Sequence, residues 1–140
     1  MTIQECIKFT NEHPFCYLAT CDGGQPRVRA MGFWFADETG FYFQSGRVKS
    51  LVGQLERNPK AEACFYHHQD PMGTMVRISG EVEFLDDRAL KERCLEERPF
   101  LRSMGMTADS PGMVIFRIAH GEADVWTMES NLAPRKPLKF

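Results

Sequence analysis

Two tight turns decide most of what this chain can become. Asp22-Gly23-Gly24 follows the aromatic-rich run 15–20, and Asp37-Glu38-Thr39-Gly40 separates the run 26–36 from 41–44. Parallel neighbours need crossovers of about a dozen residues or more, so strands joined this closely pair antiparallel. Three strands in succession therefore read as a meander.

The rest of the chain extends that pattern. Residues 2–12 read as a helix capped by Thr2, with Glu5 at the capping-box position and His13-Pro14 as its stop. A second helix is expected over 47–57, where Val48, Leu51, Val52 and Leu55 share one face and Asn58-Pro59 ends it. Strands follow over 60–67 and 74–85, with Gly80 a bulge or bend. A helix is expected over 86–97 and a short helical turn over 99–107. Residues 113–128 form one long strand, or two broken near Gly121, and the tail 131–140 is extended. The economical packing is mainly β: a six-stranded antiparallel barrel with peripheral helices, in a single domain of 140 residues.

Composition narrows the function. The chain is 43% hydrophobic and 26% charged with a formal net charge of -2, so it is an ordinary globular chain and not a general nucleic-acid binder. No apolar run approaches a membrane span, and the N-terminus lacks a cleavable apolar region, which makes a cytoplasmic location the expectation. The five cysteines include no CxxC pair and are expected to be reduced, small core residues.

One local feature is electrostatically odd. The helix expected at 47–57 opens with Arg47 and Lys49 and no acid, although a helix N-terminus already carries positive charge. Cations there, beside Ser45 and Gly46, suit a phosphate. Arg27 and Arg29 lie two apart on one strand face. If the strands 26–36 and 41–44 are hairpin partners, four cations and a hydroxyl converge on one spot.

These same residues carry a family resemblance. Pro26-Arg27-Val28-Arg29, the block Phe41-Tyr42-Phe43-Gln44-Ser45-Gly46-Arg47-Val48-Lys49, Gln54-Leu55, Asn58-Pro59-Lys60, Val76-Arg77-Ile78-Ser79-Gly80-Glu81 and the closing Leu138-Lys139-Phe140 resemble the pyridoxamine 5'-phosphate oxidase-like, FMN-binding split barrels. The resemblance implies an FMN-dependent oxidoreductase acting on a small molecule, built as a homodimer with the cofactor at the interface. It implies that Arg27 and Lys49 hold the phosphate, helped by Ser45 and Arg47, with Val48 in the same loop. The backbone from Val28 through Arg29 to Ala30 edges the flavin ring, and Phe43 and Gln44 flank it. Trp126 of the partner completes the site. The tail Asn131-Leu132-Ala133-Pro134-Arg135 departs from the oxidase's Arg-Leu-x-Pro stretch, and no His lies beyond His120, which argues against pyridoxamine phosphate itself as substrate.

Two other functions remain open at this level: a flavin-binding module without turnover, and a split barrel for haem or a deazaflavin, with His67-His68 as axial ligands. His13 and His120 read as structural and the methionines as core filler. Phe33, Trp34 and Phe35 face both sides of their strand, so the outer side needs a cover from a dimer partner or a ring system.

Overall fold

In the computed structural model, which describes residues 1–140, the 22–24 turn closes a hairpin between β1 (Phe15–Asp22) and β2 (Gln25–Gly32). Gly23 and Gly24 take φ of 54° and 88°, the region a two-residue hairpin turn demands of glycine. The chain continues through β3 (Phe35–Asp37), β4 (Gly40–Gly46), α2 (Ser50–Arg57), β5 (Lys60–His67), β6 (Thr74–Phe84), α3 (Arg88–Glu97), α4 (Phe100–Ser103), β7 (Met113–Thr127) and β8 (Leu138–Lys139), after an N-terminal α1 (Ile3–Glu12). All strands join one antiparallel sheet in the order β2-β1-β5-β6-β7-β4-β3, with β8 on β7.

Six strands are long, as expected; the other two are short. One of them corrects the sequence reading. Residues 26–36 are not a single strand but break at Phe33-Trp34, so that β2 pairs with β1 while only β3 pairs with β4. The two ends of the sheet are thus joined by two residues, which span roughly 11 Å between flanking Cα atoms at most. The sheet therefore has to curl until its edges meet, leaving a split barrel with a seam between β2 and the β3–β4 edge. Phe33 enters the barrel core and meets Phe43 and Phe65 edge-on, while Trp34 turns outward.

The outer side is covered by the chain itself, not by a partner or a ring. Trp34 and Tyr42 pack under α3 and α4 with Leu95, Leu101, Met113 and Ile115. This second layer explains why β4 and the first half of β7 are buried on both faces. Inside the barrel, Leu18, Phe41, Phe43, Phe65, Ile78, Phe116 and Ile118 are all but sealed from solvent.

β7 runs unbroken through Gly121, whose partner across the ladder is Gly80, and the register shifts between Gly80 and Val82. A Cβ at Gly121 would lie 1.9 Å from the Ser79 carbonyl oxygen, so the strands approach here only because both positions lack side chains. That bend lets one strand pair with β6 along its length and with β4 near its start. No helix is long and apolar enough to cross a membrane.

The first helix has the expected capping box, Thr2 and Glu5 exchanging hydrogen bonds with each other's backbone N–H. Its C-terminus is clasped to the barrel by an imidazole pair. His13 stacks on His67 with centroids 3.9 Å apart and planes 15° apart, and Phe9 meets His13 edge-on. Burial and then the charge of His67 hold His13 below its ordinary value, against a smaller opposing pull from Glu12. A histidine depressed in the fold binds its proton more readily when unfolded. Its contribution is therefore full above the reference value of 6.5 and is lost as pH falls below it. The midpoint of thermal unfolding should drop between about pH 7 and about pH 5, and His13→Phe, which preserves the stack, should reduce that drop. An unchanged pH slope in the variant would assign the dependence elsewhere.

Candidate functional site

A cleft of about 650 Å³ opens at the seam. Its walls are the end of β2 (Arg29, Ala30, Met31, Gly32), the end of β4 with the following turn (Gln44 to Gly46, Val48 to Leu51), and the α3–α4 corner with Arg98, Phe100, Leu101, Met104 and Met106. Two other clefts, of about 540 and 470 Å³, lie beyond Arg47 and beside the C-terminal Phe140.

Helix α2 begins three residues later than expected, at Ser50. Lys49 is its N-cap in extended conformation and makes no side-chain cap. The N–H groups of Ser50 and Leu51 find no acceptor in the chain, and both residues line the cleft. An uncapped helix start with a lysine at its mouth favours an anion.

The arginines show the same preference. Of the eleven in the chain, nine pair with a carboxylate. The two that do not, Arg29 and Arg98, both line this cleft. Arg29 Nη1 donates to the Leu18 carbonyl at 3.2 Å and to Thr20 Oγ1 at 2.8 Å, and its Nη2 donates to Gln54 Oε1 at 2.7 Å. Every one of these partners is neutral. Burial, then the charge of Arg27, pull the Arg29 pKa below its usual value, a direction that marks an uncompensated guanidinium. Arg98 lies over the Phe100 ring at 5.6 Å, and a Cβ on Gly32 would stand 3.0 Å from its Nη2, so glycine makes the room it occupies.

The residues singled out from sequence are distributed unevenly. Arg29, Ala30, Gln44, Ser45, Val48 and Lys49 line the cleft. Their convergence does not come from a hairpin, since β2 and β4 are not paired; they face one another across the seam. Arg27 instead bonds Asp22 Oδ2 at 3.1 Å, and Arg47 bonds Glu56 Oε1 at 3.2 Å and faces the second cleft. Val28 stands on the outer face of β2, 69% exposed. Phe43 is not at the cleft but in the core, stacked on Phe116 at 5.1 Å. Trp126, bonded through Nε1 to Asn131, is not among the residues that line the cleft of its own chain.

Arg98, Phe100, Met104 and Met106 are cleft residues that sequence reasoning missed. The Arg98-Pro99 dipeptide closing the helix expected over 86–97 was the available signal, but only the α3–α4 corner turns it towards Gly32. No histidine lines the cleft. His67 is engaged with His13, and His68 Nδ1 lies 3.1 Å from the Tyr66 hydroxyl. The cysteines are free; burial pushes the Cys16 thiol up to about 12 and the Cys94 thiol up to about 11, so neither ionises near neutrality.

A barrel split along one seam, with a cation-lined cleft there, defines the class: a split-barrel protein of the pyridoxamine 5'-phosphate oxidase type. Residues 2–127 match the pyridoxamine 5'-phosphate oxidase family, and the chain belongs to it. It is 32% identical over 125 residues to a pyridoxine/pyridoxamine 5'-phosphate oxidase of Anaeromyxobacter dehalogenans, covering 86% of this chain and 62% of that protein. An enzyme of the same name from Psychrobacter is 30% identical over 111 residues, covering 78% of this chain and 50% of the relative, so the chain spans only part of these relatives' length. A NimC/NimA family protein from Clostridium acetobutylicum superposes with a TM-score of 0.80 at 29% identity, covering 98% of this chain and 92% of the other. The same fold occurs in a FAD-binding protein from Mesorhizobium loti (TM-score 0.69, 22% identity, 89% and 92% covered) and a heme binding protein from Mycobacterium smegmatis (TM-score 0.74, 13% identity, 95% and 55% covered).

Anion binding at this cleft should be measurable without any organic ligand. Inorganic phosphate at low millimolar concentration should raise the unfolding midpoint above that in chloride of equal ionic strength, by mass action on the folded state. Lys49→Gln should shrink the increment, and an increment untouched by that change would place the anion elsewhere.

Proposed function

We propose that this protein binds FMN in the seam cleft and works as a flavin-dependent oxidoreductase on a small molecule. The observation that carries the reading is the gathering of Arg29, Arg98, Lys49 and the open α2 N-terminus around one cavity, while every other arginine has a carboxylate partner. Family membership supports a flavin over other anions, and a cleft without a histidine supports it over haem, since no imidazole there offers an axial ligand.

In this reading Lys49, Arg29, the Ser45 hydroxyl and the Ser50 and Leu51 N–H groups hold the phosphate. The backbone of Ala30 to Gly32 and the Gln44 side chain border the ring. Bound flavin supplies hydride chemistry that no side chain in the cleft can perform. The chain's own part is to fix the cofactor, shield one wall with Phe100, Met104 and Met106, and present Arg98 as a third cation to the ligand. Val48, Phe100 and Met104 are 96%, 53% and 69% exposed at the cleft rim, so the rim is apolar.

The protein works as a homodimer in this reading. Phe15, Tyr17, Val28 and Tyr66 form an exposed apolar patch on the outer face of β1, β2 and β5. Trp126 borders that patch through the cross-strand neighbours Tyr66, Met75 and Trp126. A second copy laid on this face covers the patch and offers the partner's Trp126 to the cleft.

Purified protein should be yellow, and the released chromophore should have the mass of FMN; a haem spectrum or a deazaflavin mass would overturn the cofactor assignment. Lys49→Glu should abolish FMN retention while leaving the unfolding midpoint close to that of flavin-free wild type. Bleaching by a reduced nicotinamide nucleotide followed by reoxidation with an added acceptor separates an enzyme from a passive flavin carrier. Light scattering should give twice the chain mass, and Tyr17→Asp should halve it and lower FMN occupancy; a monomeric, fully loaded wild type would refute the dimer.

A further inference from the structure

Gln54 is buried on α2, 5% exposed, one turn beyond Ser50 and far from any expected role. Its Oε1 accepts from Arg29 Nη2 at 2.7 Å and from Thr20 Oγ1 at 2.6 Å. The donor pattern allows only one arrangement. A guanidinium only donates, so the Gln54 atom facing it is the carbonyl oxygen; the Thr20 hydroxyl, which accepts from Arg29 Nη1, must then donate its own proton to that same oxygen. The ring of bonds joins β1, β2 and α2, and of these β2 and α2 each supply residues to the cleft.

We infer that Gln54 is a positioning residue that aims Arg29 at an anion while leaving its charge unspent. Three of the five guanidinium N–H groups are held by Leu18, Thr20 and Gln54, and the Nε–H and one Nη2–H remain free. A glutamate at this position would satisfy the same geometry and is what most arginines in this chain have found. It would also neutralise the guanidinium and compete with the incoming phosphate. The amide provides the hydrogen bond without the charge, so the guanidinium is oriented before the ligand arrives and still attracts it. The role rests on the cleft taking a phosphorylated ligand, as proposed above.

The test compares FMN with riboflavin, which differ by the phosphate alone. Wild type should bind FMN far more tightly. Gln54→Glu should fold at least as stably, because it gains an ion pair with Arg29, yet lose on the order of tenfold or more in FMN affinity with riboflavin affinity little changed. Thr20→Val should lower the FMN-to-riboflavin ratio in the same direction, and Thr20→Ser, which keeps the hydroxyl, should restore it. The two Thr20 variants decide the matter if Gln54→Glu does not fold. A folded Gln54→Glu protein with the wild-type ratio overturns the inference, as does equal loss of both flavins, which would mean a generally damaged cleft. A wild type that does not distinguish FMN from riboflavin overturns the phosphate reading itself, and this role with it.

Discussion

The two-residue link at Phe33-Trp34 is the constraint on which the molecule turns. It ties the first strand of the sheet order to the last, and a sheet whose edges are chained that closely has to close. Phe33 anchors the link inside the barrel and Trp34 anchors it outside, each in its own apolar cluster. Its backbone is pinned as well: Phe33 N–H donates to the Pro14 carbonyl, and Asn11 bonds both polar groups of Ala36. The helix α1 thus buttresses the seam, and the His13–His67 stack holds that helix end against β5.

Closure of this kind leaves a gap and not a continuous ladder. Because β2 and β4 are brought near without exchanging hydrogen bonds, their ends can spread around a ligand. Arg29 reaches the gap from one side and Lys49 from the other, with Arg98 descending from the α3–α4 corner. Like charges held together in a half-buried space repel, and the fold tolerates it with neutral hydrogen-bond partners and an open helix end. Local stability is given up where these cations meet, an arrangement common at binding sites.

The helical layer over β3, β4 and β7 has two consequences for the cleft. It buries the outer faces of β4 and the first half of β7, while apolar side chains on the outer face of β1, β2 and β5 stay exposed. It also supplies the apolar wall of Phe100, Met104 and Met106, which gives the cavity one greasy side opposite a charged one. A planar ligand with an anionic tail matches that division.

Much of this was legible in the order of residues. The Asp22-Gly23-Gly24 turn, the capping box of Thr2 and Glu5, the Asn58-Pro59 stop and the Gly80 irregularity are local, and local chemistry is written locally. The convergence of Arg29, Ser45 and Lys49 was also visible, although through the wrong pairing. What the order of residues could not reveal is which cation finds an acid. Arg27 and Arg29 are equivalent by periodicity, yet Arg27 meets Asp22 across its own turn while Arg29 reaches Thr20 and Gln54. Arg47 is drawn off by Glu56, Phe43 by the core, and Arg98 is delivered from half a chain away. Short-range geometry follows from turn and cap residues, whereas a free charge is defined by the absence of a neighbour, and neighbours are assigned only when distant segments pack.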